Sequence, residues 1–279
     1  MQKKPLTNST FYSIIYFTTQ KNTQKQGENM PRFFVTASQI ENGKVTISGD
    51  DAFHISRSLR MAVGEHVTVC DMAKTEYDCV LESFGEDVVA RIASQKQCDT
   101  EPPFKATLYQ ALPKGDKLDS IIQKSVECGV SGILLFESER CIVKSDAKAD
   151  AKKADRRSRI ASEAAKQCGR GLLPNVKGTV RFSDAIEEAS KATLPLFCYE
   201  GDGTLPLGRV IKEKRQLIKD DKEITVSIVI GPEGGFSKKE AELAISAGMI
   251  PIGLGKRILR TETAAAFALA ALVYEFELN

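Results

Sequence analysis

After Phe104 the chain alternates between short apolar runs and longer stretches with the periodicity of an amphipathic helix. The apolar runs are ATLYQAL, GILLFES, LPLFCYE, ITVSIVI and MIPIGLG, and stretches such as KLDSIIQKSVECG and KKEAELAISAG separate them. Strands that alternate with helices are joined by crossover connections, which make the strands parallel within one sheet and place helices on both of its faces. We therefore predict an α/β fold for residues 104–279.

Residues 30–98 show a different pattern, in which short strands follow one another with turns such as ENGK, GDD and FGED between them. A helical stretch, DDAFHISRSLRM, interrupts the strands. This succession predicts a small β-barrel that contains a helix and is joined to the α/β part by the linker QCDTEPPF.

Residues 1–29 differ from the rest of the chain in being rich in Thr, Asn, Gln and Lys. They contain neither the long apolar core of a signal peptide nor the arginines of a transit peptide. We predict that they are a disordered extension, or that translation begins at Met30.

The composition excludes several classes of protein. A hydrophobic fraction of 42% and a charged fraction of 27% are those of an ordinary globular chain, and the net charge of +2 neither requires nor excludes nucleic acid as a partner. No apolar run reaches the roughly 18 residues that are needed to cross a bilayer. The seven cysteines form no C-x-x-C pair, which predicts reduced thiols in the cytoplasm and no bound metal.

A glycine-rich loop follows the strand ITVSIVI and precedes a helix. It contains Gly231, Pro232, Glu233, Gly234 and Gly235. The loop matches neither the phosphate-binding P-loop nor the dinucleotide-binding pattern, and Glu233 would repel a pyrophosphate. S-adenosyl-L-methionine fits better, because it joins an adenosine to a positive sulfonium and carries no phosphate. A tight strand-to-helix turn without a ligand is the alternative, and the capping box of Ser237 and Glu240 would start the helix in either case.

A second loop, LGKRILRTET, lies between the strand MIPIGLG and the terminal helix. Its Ile258 and Leu259 stand between Arg257 and Arg260 in a segment that should face solvent. Exposed apolar residues in a loop indicate a ligand or a partner surface. Because both loops follow strands of a parallel sheet, we expect them at its carboxyl edge, where such folds bind their ligands.

Together, GPEGGFSKKE and LGKRILRTETAA resemble the signature pair of the bacterial ribosomal RNA methyltransferases that modify N3 of a uridine in the small-subunit RNA. The resemblance covers nearly everything after residue 29, since PRFF, HISRSLRMAVGE, ALPKGDKLDSIIQKSVECGV, ESER and EAAKQCGR follow in family order. It departs at Cys128, where leucine is common, and at Lys166, where an acid is frequent. The resemblance implies a SPOUT-type parallel sheet with a C-terminal trefoil knot, preceded by a PUA-like β-barrel that binds RNA.

The same resemblance implies the ligands and the partners. The cofactor would be S-adenosyl-L-methionine, and the substrate 16S ribosomal RNA within the 30S subunit. Members of this class generally work as homodimers, and the apolar helix at residues 263–276 could share its burial with a second copy. The implied cofactor-binding residues are Tyr199, Glu200, Gly231, Pro232, Glu233, Gly234, Gly235, Leu254, Gly255, Ile258, Leu259, Arg260, Thr261 and Thr263.

The chemistry of a uridine N3 suggests the catalytic residues. The N3 hydrogen must leave and negative charge develops on the ring, so a positive donor and a proton acceptor are needed near an unstacked base. Arg260 is our first candidate for the donor, with Arg32 a weaker one. Glu262 and Glu233 are the candidate acceptors, although either carboxylate could instead orient its loop.

Positive side chains at positions that match the family predict the RNA contacts. The residues at such positions are Lys114, Lys124, Arg140 and Arg170. Arg32, Arg57 and Arg60 of the predicted barrel are further candidates for contacts with the RNA. Two other functions remain open on the sequence: a SPOUT ribose 2′-O-methyltransferase acting on ribosomal or transfer RNA, and a non-catalytic RNA-binding assembly factor. The text RILRTET argues against the first, and the intact glycines in both loops argue against the second.

Overall fold

The computed structural model describes residues 30–144, 147–215 and 223–279. The prediction for residues 1–29 lies outside these ranges. The described residues form two sheets, and each sheet has a hydrophobic cluster of its own. Within these ranges, no helix is both long enough and apolar enough to pass through a membrane.

The first sheet has six strands among the described residues: β1 (Arg32–Phe34), β2 (Ile40–Glu41), β3 (Lys44–Ile47), β4 (His66–Cys70), β5 (Thr75–Phe84) and β6 (Val88–Gln97). Their order is β1-β4-β5-β6-β3-β2, and all neighbours are antiparallel except β1 and β4. Side chains that alternate along the strands, such as Phe33, Val45, Val67 and Leu81, are buried in its cluster. The predicted succession of short strands is therefore confirmed.

The helix of this first part is shorter than its sequence pattern predicts. Helix α1 (Gly49–Phe53) continues into a π-helical turn, His54–Ser58, and Ile55 anchors the turn in the core. Arg60 has a φ of 54°, in the left-handed region, so the helix cannot continue to Met61 as predicted.

The second sheet has seven strands among the described residues: β7 (Phe104–Ala111), β8 (Gly132–Glu137), β9 (Asn175–Arg181), β10 (Leu194–Cys198), β11 (Leu205–Pro206), β12 (Ile224–Ile230) and β13 (Ile250–Gly253). Their order is β11-β13-β10-β12-β7-β8-β9, and every neighbouring pair is parallel. The predicted parallel α/β sheet is confirmed. Strands β9 and β11 were not predicted, because β9 is polar at most positions and β11 has two residues.

Six helices accompany this sheet in the described ranges: α2 (Lys117–Glu127), α3 (Ala147–Gln167), α4 (Phe182–Ala189), α5 (Leu207–Lys214), α6 (Lys238–Ser246) and α7 (Thr261–Phe276). Helix α5 was not predicted. Helices α2, α3, α5 and α7 form one packed group, and α4 packs with α6 in another. The central strands β10 and β12 are buried along most of their length, as expected for a parallel sheet that is covered on both faces.

Arg170, which the sequence assigned to RNA, lies in the interior with 3% of its side chain exposed. Its guanidinium donates to both carboxylate oxygens of Glu101, at 2.9 and 2.7 Å, and to the carbonyl oxygens of Val126 and Val130. Glu101 also accepts the backbone N–H groups of Gly171 and Leu172. Burial separates this guanidinium from any RNA, so the prediction is corrected: Arg170 anchors the linker to the second sheet.

Arg32 has a similar structural position between the two sheets. Its guanidinium pairs with Glu76 at 2.9 Å, donates to the sulfur of Cys70, and reaches the carbonyl oxygen of Arg170 at 3.3 Å. Only 13% of the side chain is exposed. The predictions that Arg32 contacts RNA or serves as a catalytic donor do not fit this placement, because its donors are already used to join the first sheet to the segment after α3.

Lys166 also bridges the two parts. Its ammonium lies 2.6 Å from Asp51 Oδ1 and 5.1 Å from the centre of the Phe33 ring. An acid at this position would repel Asp51 and lose the cation–π contact. Lys166 in α3 and Asp51 in α1 thus join the two parts by an ion pair.

We expect Arg170→Met to lower the free energy of unfolding by about 3 kcal/mol or more, because it leaves the buried carboxylate of Glu101 without its partner. Urea unfolding followed by circular dichroism measures this. The matched control is Arg181→Met, since Arg181 pairs with Asp184 at an exposed site with 82% of the arginine side chain accessible. This control should change stability by less than about 1 kcal/mol. Equal stability of the two variants would contradict a structural role for Arg170.

Candidate functional site

Strand pairing brings the loops after β10, β12 and β13 to one edge of the sheet. β10 pairs in parallel with β12 on one side and with β13 on the other, so Cys198, Ile230 and Gly253 end at the same edge. The two loops singled out in the sequence are therefore neighbours of the loop that begins at Tyr199. This confirms the expectation that they share the carboxyl edge.

The turn after β12 requires glycine at specific points. A Cβ atom at Gly231 would lie 3.0 Å from the ring of Phe236, which is itself packed at 4.5 Å from the ring of Phe197. Gly235 has a φ of 63°, and its N–H donates to the carbonyl oxygen of Pro232 at 2.9 Å. The backbone therefore turns sharply above a packed aromatic layer.

Charged side chains hold the glycine loop from the side of β8. The predicted capping box is confirmed, since Ser237 Oγ accepts the N–H of Glu240 and Glu240 Oε2 accepts the N–H of Ser237. The other oxygen of Glu240 accepts the N–H of Glu139 at 2.9 Å. Arg140 donates to the carbonyl oxygen of Gly234 at 3.0 Å, and its side chain is otherwise exposed. The segment after β8 is thus a support for the loop.

A buried hydroxyl connects the glycine loop to the start of α7. Thr261 Oγ1 donates to the carbonyl oxygen of Gly231 and accepts from Gln110 Nε2, each at 2.9 Å. Gln110 lies at the end of β7, directly across from Ile230, and is fully buried. Its Oε1 has no hydrogen-bond partner among the described residues. Neither the bridging role of Thr261 nor the position of Gln110 is visible from sequence spacing.

The loop between β13 and α7 leaves much of its surface open. Ile258 is 85% exposed, while Leu254 and Leu259 are half-buried against the main core. Within the described chain, the backbone groups of residues 254–259 form no hydrogen bonds. Gly255 has a φ of 115°, which only glycine adopts readily. The loop therefore offers free N–H and C=O groups beside apolar side chains.

The remaining predicted cofactor residues differ in exposure. Tyr199 is half-buried, its N–H donates to the carbonyl oxygen of Ile252, and its ring packs 5.8 Å from that of Phe197. Glu200 and Thr263 are exposed, and Pro232 is buried. The side chain of Tyr199 also occupies the space above Gly201, where a Cβ atom would meet the ring at 2.2 Å.

A charged cluster joins the two loops. Lys117, the first residue of α2, places its ammonium 2.7 Å from Glu233 Oε1 and 3.7 Å from Glu262 Oε2. The backbone N–H of Lys114 donates to the same oxygen of Glu233 at 3.1 Å. Glu262 Oε2 is buried and has no hydrogen-bond partner among the described residues. Arg260 is exposed at the N-terminus of α7 and acts electrostatically on Lys117.

The two carboxylates of this cluster are therefore in different situations. The hydrogen bond to Glu233 raises the pKa of Lys117 above its ordinary value. Partial burial acts to raise the pKa of Glu233, but hydrogen bonds from Lys117 and from backbone N–H groups outweigh it, and the net pKa is lowered. Glu233 is thus a weak base whose Oε1 accepts two hydrogen bonds, whereas the buried Oε2 of Glu262 accepts none from the described residues.

The predicted RNA residues divide into two sets. Arg57, Arg60, Lys114, Lys124 and Arg140 are exposed, whereas Arg32 and Arg170 are held inside the fold. The structure also brings in residues that were not predicted, above all Lys117 and Gln110. The segment LPKGDKLD contains Lys114, a predicted RNA contact, but nothing in its sequence distinguishes Lys117 as the lysine whose ammonium reaches Glu233. No group of three metal-ligating side chains occurs in the described ranges.

Comparisons with known proteins agree on one class. Residues 100–273 match the family described as "RNA methyltransferase domain", and residues 47–87 match "RNA methyltransferase PUA domain". The chain is 34% identical to the ribosomal RNA small subunit methyltransferase E of Bacillus subtilis, over 89% of this chain and 98% of that protein. It is 30% identical to the protein of the same name from Synechocystis, over 93% and 82%.

The fold is also similar to solved structures. One is the ribosomal RNA small subunit methyltransferase E of Neisseria gonorrhoeae, which was crystallised bound to S-adenosyl methionine. It aligns with a TM-score of 0.74 and 32% identity, over 88% of this chain and 97% of that one.

Proposed function

Because the chain belongs to the RNA methyltransferase family, we propose that it is an S-adenosyl-L-methionine-dependent enzyme that methylates N3 of a uridine in 16S ribosomal RNA. The observation that carries this proposal is the open loop of residues 254–259, whose backbone groups form no hydrogen bonds within the described chain and which follows a strand that ends at the same sheet edge as the strand before the glycine loop. The likeness to a relative that binds S-adenosyl methionine supports it. We place the reaction in the cytoplasm, where ribosomal RNA is made.

The residues at the sheet edge fit this cofactor. An adenine needs apolar contact and backbone hydrogen bonds, which Leu254, Ile258 and Leu259 supply together with the free backbone groups around them. Gly255 allows close approach of the chain. The carboxylates of Glu233 and Glu262 suit a positively charged ligand better than a phosphate. Bound there, S-adenosyl-L-methionine would supply an electrophilic methyl group.

We assign the chemical roles from exposure and hydrogen bonding. Arg260 is exposed next to the cluster, so it is free to stabilise negative charge on the uracil ring. Glu262 is a better proton acceptor than Glu233, because hydrogen bonds from Lys114 and Lys117 to Glu233 Oε1 lower the pKa of Glu233, while Glu262 Oε2 accepts no hydrogen bond from the described residues. The other residues of the three loops would align the reactants, which is where most of the rate arises in a direct methyl transfer.

The RNA would lie across both parts of the chain. We propose that residues 30–98 form an RNA-binding domain and that residues 104–279 form the methyltransferase domain. Arg57 and Arg60 on the first and Lys114, Lys124 and Arg140 on the second are exposed cations that suit phosphate contacts; these five replace the predicted set of seven. Binding of the small-subunit RNA should accordingly weaken as salt rises.

The resemblance to the SPOUT class supports two further proposals. We propose that the second domain carries a C-terminal trefoil knot, as the SPOUT class does. We also propose a homodimer formed through an apolar groove of about 780 Å³ between α5 and α7. Phe267 and Tyr274, which are 42% and 61% exposed, line this groove and would be covered by a second copy.

The function is tested with labelled S-adenosyl-L-methionine and small ribosomal subunits from cells that lack the modification. We expect label on N3 of a uridine in 16S RNA. Label on a ribose would indicate a 2′-O-methyltransferase instead. Tight binding of RNA without transfer of label would indicate a non-catalytic assembly factor. Naked 16S RNA in a parallel reaction determines whether the assembled subunit is required.

We expect Arg260→Ala to reduce single-turnover methylation about a hundredfold, because it removes a charge that acts mainly in the transition state. The affinity for S-adenosyl-L-methionine, measured by calorimetry, should change much less. Arg257→Ala is the matched control, since Arg257 is an exposed arginine of the same loop. Near-normal turnover in the Arg260 variant would remove this residue from the mechanism.

We expect Phe267→Glu to convert the dimer into a monomer, because it places a charge in the lining of the apolar groove. Sedimentation equilibrium of the variant measures the mass. Leu243→Glu, on the exposed side of α6 with 41% accessibility, is the control and should leave the mass unchanged. A wild-type chain that sediments as a monomer would refute the dimer.

A further inference from the structure

Lys117 lies at the meeting point of three elements that are distant in sequence. It is the first residue of α2, whereas Glu233 belongs to the glycine loop and Glu262 to the first turn of α7. Its ammonium is 2.7 Å from the first carboxylate and 3.7 Å from the second. All three side chains are partly shielded, with 29%, 31% and 20% of their surfaces exposed. Charges in such a position interact more strongly than fully exposed ones.

The segment that contains Lys117 is tied to the glycine loop by its backbone as well. The N–H of Lys114 and the ammonium of Lys117 both donate to Glu233 Oε1. The glycine loop is joined to α7 by a separate path, through the Thr261 hydroxyl and the Gly231 carbonyl oxygen. Loss of Lys117 would leave the negative carboxylates of Glu233 and Glu262 near each other without a cation between them. Their repulsion would weaken the connection through Thr261 and Gly231.

We propose that Lys117 is a positioning residue for the methyl transfer, and the proposal rests on the function proposed above. Its ammonium holds the Glu233 and Glu262 carboxylates together, and thereby keeps the glycine loop and the start of α7 in one arrangement for the cofactor. Arg260 and Glu262 belong to that same start of α7, so the clamp also orients the groups assigned to the uracil ring. Lys117 itself need not touch either reactant.

The test compares Lys117→Met, which keeps the apolar stem, with Lys117→Arg, which keeps the charge. The control is Lys105→Met, because Lys105 pairs with exposed Glu223 at the opposite end of β7. Hydrogen exchange of the Gly235 amide, which donates to the Pro232 carbonyl oxygen at 2.9 Å, is followed in the free protein. In Lys117→Met we expect exchange about tenfold faster than in wild type, with Lys117→Arg and the control close to wild type.

The second readout is the affinity for S-adenosyl-L-methionine as the pH is lowered from neutral to about 4, a range that includes the ordinary pKa of a glutamate. Lys117 lowers the pKa of Glu233, so the charge of Glu233 is present at neutral pH and is lost only as the pH falls through that lowered pKa. In Lys117→Met the pKa of Glu233 rises, and the affinity should be about fivefold weaker and should decline at a higher pH than in wild type. A merely structural loss would not move the pH dependence.

The two readouts separate this proposal from the function on which it rests. If the wild-type chain does not bind S-adenosyl-L-methionine, the proposed function fails, and the exchange experiment still decides whether Lys117 couples the loops. The proposal is overturned if Lys117→Met exchanges like the Lys105 control, or if Lys117→Arg is as defective as Lys117→Met, since charge would then not be the property that matters.

Discussion

The parallel pairing of β10 with β12 and with β13 is the interaction on which the site depends. Chain order would separate these strands, because helices and loops lie between each pair, yet the register places Leu196 opposite both Ile228 and Ile250. Since parallel strands end at the same edge, three loops from three parts of the chain meet there. The buried side chains of these strands supply the stability that allows the loops to remain open.

The two loops at this edge differ in how firmly the rest of the chain holds them. The glycine loop is held by Arg140, Glu240, Lys117 and Thr261, so its shape is determined before any ligand binds. The loop of residues 254–259 has no backbone partners within the described chain and exposes Ile258. This combination suits the binding of a small ligand. The glycine loop is already ordered, so the conformational entropy lost on binding comes from residues 254–259 alone.

Basic residues in this chain serve two purposes that look alike in the sequence. Arg170 and Arg32 were predicted to contact RNA. Both are instead shielded from solvent and paired with carboxylates, Arg170 with Glu101 and Arg32 with Glu76, and they join the linker and the two sheets. Arg57 and Arg60 remain exposed on the first part. A buried arginine differs from an exposed one in having a carboxylate from a distant segment beside it, and the number of charges nearby in the sequence does not reveal this.

Much of the fold was predictable from local pattern. The alternation of apolar runs and amphipathic stretches was sufficient to predict the parallel sheet and the loops after β12 and β13. The spacing of Ser237 and Glu240 was sufficient to predict the capping box. Each of these features depends on residues that are close in sequence. Strand β9 and helix α5 were not predicted. The first is polar at most positions and the second is short, so both depend on packing against the rest of the fold.

The charged site was decided by tertiary structure alone. The contacts of Lys117 with Glu233 and Glu262, of Gln110 with Thr261, and of Arg170 with Glu101 join residues far apart in the chain. Their existence depends on distances of a few ångströms that only the folded sheet sets. The sequence by itself determined which elements form and which residue types surround the loops; the tertiary structure decided which charges meet, because Coulomb and hydrogen-bond energies fall steeply with separation.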